Sequence, residues 1–214
     1  LPTSFFDFIQ EAQDYYLPPI TGSYLRIVRI MVFFLTLLVT PLWYYLNCNP
    51  ALTPDWLQFV LIQDNMNLPI IVQFLVLEFG IDALKMASLN TPSSLNSSFS
   101  IIGALILGDF AVNAGWLAPE IILYMAFVAL ANFTQPSYEL GYAIKFMRVM
   151  LLVFVAILPV WGFWIGLACM LVIMASNRTV TKTSYFYPLV PFNPHDFKMI
   201  FARKKLRGKS SSRS

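Results

Sequence analysis

Residues 25–46 read LRIVRIMVFFLTLLVTPLWYYL, an apolar run with Arg26 and Arg29 at its start and no acidic residue. A run of this length and hydropathy suits a hydrocarbon layer about 30 Å thick, where the backbone has to satisfy its own hydrogen bonds as a helix. Further apolar runs follow at roughly 68–89, 99–115, 119–134 and 149–176. Composition agrees. The chain is 58% hydrophobic, 16% aromatic and 12% charged, with mean hydropathy +0.67, whereas a soluble domain carries about 25% charged residues. The expectation is an all-α, polytopic integral membrane helical bundle.

Net charge is +3, but the placement of Lys and Arg says more than their sum, because basic residues collect on the cytoplasmic side. Arg26 and Arg29 put the start of the first span inside, and Trp43, Tyr44 and Tyr45 read as an aromatic belt at its far end. Pro41 is tolerable in the last turns of a membrane helix. Residues 47–67 hold Asp55 and Asp64 but no Lys or Arg, which suits the outer side. The 68–89 run returns, with Lys85 at the inner boundary and NTPSSLNSS (90–98) as an inner loop. FSIIGALILGDFAVNAG (99–115) goes out, with Gly103, Ala104 and Gly108 spaced for close helix contact. PEIILYMAFVALANFT comes back, and QPSYELGYAIKFMR is an amphipathic inner segment marked by Lys145 and Arg148.

The run 149–176 has 28 residues, too long for one typical span and too short for two, and is interrupted by Pro159 and Gly162. A hairpin of two short or tilted helices, the first borrowing residues from 140 onward, keeps the basic end of the chain inside. The expectation is therefore about six membrane segments with both termini cytoplasmic. Residues 1–22 form an amphipathic lead-in, 23–190 the transmembrane domain and 191–214 a basic cytoplasmic tail. In that tail Lys198, Arg203, Lys204, Lys205 and Arg207 are expected at the membrane surface, drawn to anionic lipids. The tail has no fold around it to read bases, so no nucleic-acid partner is expected. The chain opens at Leu1 without a signal-peptide pattern, and its amino end is expected to be cut from something longer.

Against this apolar background the stretch EFGIDALK (78–85) stands out. At 100° per residue Glu78, Asp82 and Lys85 fall within a stripe about 60° wide, so they share one helix face. Glu78 sits near the middle of a helix of roughly 33 Å, where an ionised group needs a partner or water. Asp109 and Asn113 lie at i and i+4 on the third segment, and Asn132 and Gln135 come late in the fourth. Glu78, Asp82, Lys85, Asp109 and Asn113 are the candidate lining of an ion path. The alternative is that the carboxylates are neutral or paired with Lys85, Arg29 or Arg148 and serve helix packing. Lys85, three residues past Asp82, is placed to serve one of them.

Catalysis finds little support. The chain has no GxSxG, no HExxH and no Walker motif. His195, the single histidine, stands beside Asp196 without a second ligand, and Cys48 and Cys169 have no metal or disulfide spacing. No enzyme activity, cofactor or metal is expected.

SFSIIGALILGDFAVNAGWLAPEIILYMAFVALANFTQPSYELGYAIKFMRVMLL resembles the central membrane block of the bacterial spore germination proteins of the GerA A-subunit and SpoVAF group. GSYLRIVRI, LPIIVQFLVLEFGIDALKMA and YFYPLVPFNPHDF extend the resemblance over essentially the whole chain. TPSSL (91–95), where A subunits usually show Arg-Pro-Ile-Gly-Gln, and Asp109, where they commonly carry Gln, place it nearer the SpoVAF branch. What the resemblance implies is an inner spore membrane protein of a sporulating Firmicute, with a cytosolic amino-terminal domain beyond this sequence. It also implies homo-oligomers forming channels that release monovalent cations early in germination, alongside other spore germination membrane proteins. A non-conducting assembly subunit, of a germinant receptor or of a dipicolinic acid release complex, is the alternative, and a secondary transporter is a third class.

Overall fold

The computed structural model describes residues 16–62, 67–90, 101, 103, 105–135 and 137–176. The basic tail, with Lys198, Arg203, Lys204, Lys205 and Arg207, lies outside the described residues, as do most of the lead-in and most of the 90–98 loop. Five helices carry the fold: α1 (Pro19–Cys48), α2 (Ile70–Asn90), α3 (Pro119–Phe133), α4 (Tyr138–Ile157) and α5 (Gly162–Ser176). Two 3-10 turns, Pro50–Leu52 and Asp55–Val60, follow α1. Among the described residues every element is helical.

The expectation of about six membrane segments is corrected here. Among the described residues two helices are long and apolar enough to cross a membrane, Ile20–Cys48 and Tyr138–Ile157, and Pro119–Phe133 and Gly162–Met174 are shorter apolar helices. The reasons are charge and length. α2 has 21 residues but carries Glu78, Asp82 and Lys85 within them. α3 and α5 have 15 residues each, about 22 Å at 1.5 Å per residue. Within the expected 99–115 segment Ile101 and Gly103 are α-helical, and a π-helical turn (Leu105–Phe110) then runs into a single α-turn (Ala111–Asn113).

The run 149–176 does divide. Leu158–Trp161 separates α4 from α5, and the two helices pack back on one another. A Cβ on Gly162 would collide with the Phe154 carbonyl, and one on Gly166 would press on Leu151 and Phe154. The expected amphipathic inner segment 135–148 turns out to be largely the start of α4, which the Ser137 side chain caps by accepting from the Leu140 amide at 3.1 Å.

The aromatic belt is a second correction. Trp43, Tyr44 and Tyr45 are buried, 3%, 7% and 9% exposed, in a core with Phe74, Leu117, Ile121, Leu152, Val155 and Phe163. The connection after α1 folds over them: Trp43 Nε1 donates to the Val60 carbonyl at 2.7 Å, and Asn47 Oδ1 accepts from the Ile62 amide at 3.0 Å. A second core, with Phe33, Leu37, Leu140, Ile144, Leu151, Met170 and Met174, joins α1, α4 and α5 toward the other end.

Candidate functional site

α2 and α4 run in opposite directions, so acids at i and i+4 on one can meet bases at i and i+3 on the other. Glu78 and Asp82 face Lys145 and Arg148 in this way. Arg148 Nε donates to Glu78 Oε1 at 2.8 Å, and Nη2 donates to the same oxygen. Its Nη1 donates to the Thr36 carbonyl of α1 at 3.1 Å. Lys145 Nζ is bonded to Asp82 Oδ2, donates to the Glu78 carbonyl at 3.2 Å and lies 3.4 Å from Glu78 Oε2.

The two pairs differ in their access to the surface. Glu78 and Arg148 are 5% and 4% exposed. The Asp82 side chain keeps 30% of its surface and Lys145 13%. A small cleft, with room for about one water molecule, is lined by Glu78, Asp82, Lys85, Asn132, Lys145 and Arg148 among others. The tetrad is thus sealed at one end and open at the other. Within one copy each carboxylate already has a basic partner, as buried charge requires.

The remaining sequence candidates are placed as follows. Lys85 borders the same cleft, with Nζ 4.9 Å from the centre of the Phe133 ring. Asp82 takes its partner from α4 rather than from Lys85, one turn along its own helix. Asp109 and Asn113 are exposed on the π-turn and the α-turn after it, and neither lines the cleft. A Cβ on Gly103 would run into Leu84, whereas one on Gly108 would meet nothing within 4 Å. Asn132 Oδ1 is buried without a hydrogen-bond partner among the described residues, beside the Cα of Gly141. Arg148 was one of three possible counter-ions on sequence grounds. The role of Lys145 was missed, and the signal for it was the K-x-x-R spacing in an apolar helix, matching E-x-x-x-D in another.

Residues 1–214 match the family described as Bacillus/Clostridium GerA spore germination protein. The chain is 36% identical over 192 residues to stage V sporulation protein AF of Bacillus subtilis (strain 168), covering 90% of this chain and 39% of that protein. It is 29% identical over 201 residues to spore germination protein KA of the same organism (92% and 37% covered). With spore germination protein GerQA of Bacillus cereus it shares 28% over 201 residues (92% and 40%). The chain therefore spans about two-fifths of the length of these curated relatives. No solved structure matches it.

Proposed function

The chain belongs to the GerA family of Bacillus/Clostridium spore germination proteins, and from that premise we propose that it works in the inner spore membrane as a subunit of a cation-release assembly. It is a membrane-associated, multi-pass member of that family. Several copies, together with other germination membrane proteins, build the path around a shared axis. Few polar faces are available in one copy, and a ring of copies multiplies them.

One observation carries the reading: the half-open Asp82–Lys145 pair at the mouth of a cleft, in front of the sealed Glu78–Arg148 pair. Ionisable groups within apolar helices commonly mark ion paths. With both carboxylates neutralised, this arrangement is a resting form. A cation gains a site when Asp82 and Lys145 part, while Glu78 and Arg148 hold the helices in register.

The test is reconstitution of the purified full-length protein in liposomes. Potassium or sodium flux that Asp82→Asn alters, with assembly retained, supports the proposal. Absence of flux with partners still co-purifying favours a non-conducting assembly subunit. That second reading has its own support, since Glu78 and Asp82 both find bases inside one copy, as a purely structural helix lock does.

A further inference from the structure

A 3-10 helix turns once per three residues, so side chains at i and i+3 eclipse. The turn Asp55–Val60, DWLQFV, repeats with that period. Asp55 and Gln58 are exposed and joined by a 2.9 Å hydrogen bond. Leu57 and Val60 are half-buried, and Val60 packs on the aromatic core. Trp56 and Phe59 point away together, each 74% exposed.

The surroundings extend this surface. Asn49 Nδ2 donates to the Pro159 carbonyl at 2.7 Å, which brings the connection after α1 beside the α4–α5 turn. There Trp161 and Trp164 are 66% and 57% exposed, and the exposed flank of α5 continues through Ile165, Leu171 and Val172. The described Lys and Arg residues (Arg26, Arg29, Lys85, Lys145 and Arg148) all stand away from this end of α1, α2 and α4.

We propose that the Asp55–Val60 turn is a lipid anchor, with Trp56 and Phe59 seated at the boundary between headgroups and acyl chains and Asp55 and Gln58 on its aqueous side. Two constraints set this depth. Short 3-10 turns separated by Pro54 leave backbone groups unpaired, which excludes the hydrocarbon interior. Two large aromatic side chains held out together disfavour bulk water. The interface satisfies both, and Trp is the residue enriched there. Continuity with the exposed apolar flank of α5, which carries no charged residue, favours lipid rather than protein as the occupant. The anchor fixes the depth of the bundle in one leaflet independently of any ion path.

The experiment is site-directed spin labelling of the full-length chain in vesicles of phosphatidylethanolamine and phosphatidylglycerol, with Cys48→Ala and Cys169→Ala as background. Labels enter singly through Trp56→Cys, Gln58→Cys or Phe59→Cys, and accessibility to oxygen is compared with that to a water-soluble nickel complex. A label at 56 is expected to be several-fold better shielded from nickel than one at 58, while remaining open to oxygen. The label at 59 repeats the measurement should the first variant fail to fold. Equal nickel access at 56, 58 and 59 puts the turn in water and overturns the proposal. Shielding of 56 and 59 from both reagents means a protein cover, a second copy or another subunit, and overturns it too.

Discussion

Arg148 and Glu78, 70 residues apart in the chain, are joined by a 2.8 Å hydrogen bond from Nε to Oε1, while Nη1 of the same guanidinium donates at 3.1 Å to the carbonyl of Thr36. One side chain thus ties α1, α2 and α4. Its hold on α1 falls near Pro41, which supplies no N–H to the Leu37 carbonyl. Thr36 reinforces the same stretch, its hydroxyl hydrogen-bonded to the carbonyls of Val32 and Phe33 at 2.8 and 2.9 Å.

Removing one partner leaves a buried charge without its counter-ion, which costs about 3–5 kcal/mol. Glu78→Ala is predicted to lose stability on that scale. The double variant Glu78→Leu, Arg148→Met is predicted to recover most of it, because apolar replacement of a whole buried pair is often close to neutral. Arg148→Lys should not rescue, since an ammonium lacks the fork that reaches both Glu78 and Thr36. Unfolding midpoints of the purified variants in one detergent decide this. A single variant as stable as the parent removes the lock.

Asp82 should behave differently, because its side chain retains 30% of its surface. Asp82→Asn is predicted to cost only about 1 kcal/mol, near the range of exposed ion pairs. Lys145 keeps the Glu78 carbonyl at 3.2 Å and the Glu78 carboxylate at 3.4 Å after the change. The same unfolding assay, run beside Glu78→Gln, reads the contrast. Equal losses for the two variants contradict a tetrad with one sealed and one open end.

Glycines offer a contrast of a steric kind. At Gly162 an added Cβ overlaps the Phe154 carbonyl, a backbone atom that cannot rotate away. Gly162→Ala is predicted to cost about 1–3 kcal/mol, the usual penalty of overpacking, and to loosen the α4–α5 hairpin. Gly108→Ala meets nothing within 4 Å and is predicted to be neutral or to gain up to about 1 kcal/mol from helix propensity. Thermal melts of the two variants should move in opposite directions or differ clearly in size.

What could be read from the chain was local. The helical runs, the shared face of Glu78 and Asp82, and the break between Pro159 and Gly162 all follow from short-range periodicity and from proline and glycine chemistry. The misread features depend on distant partners. Trp43, Tyr44 and Tyr45 end an apolar run as interfacial aromatics do, but Val60 and Phe163 cover them. Nothing within the run itself signals which connection folds back. Likewise Lys85 is the nearest base to Asp82 in sequence, yet Lys145, 63 residues away, holds it. In the third segment the described backbone widens into a π-turn at Leu105–Phe110 and its helix ends at Asn113, before Gly115 adopts a left-handed φ of 69°, none of which the apolar pattern of the segment signals.

Gln73 gives the last prediction. It is fully buried, yet both ends of its amide are used: Nε2 donates to the Leu68 carbonyl and Oε1 accepts from the Ala118 amide, each at 2.8 Å. The side chain therefore caps the start of α3 from within α2, a service that α3 lacks from its own N-cap, Ala118. Gln73→Leu fills similar space but strands a buried N–H, at about 1–3 kcal/mol. Faster hydrogen exchange in a peptide spanning 116–121, with exchange in α5 unchanged, is the expected signature. If the Ala118 amide is as protected in Gln73→Leu as in the parent chain, water or a neighbouring group has replaced the glutamine. In that case the junction between α2 and α3 does not depend on it.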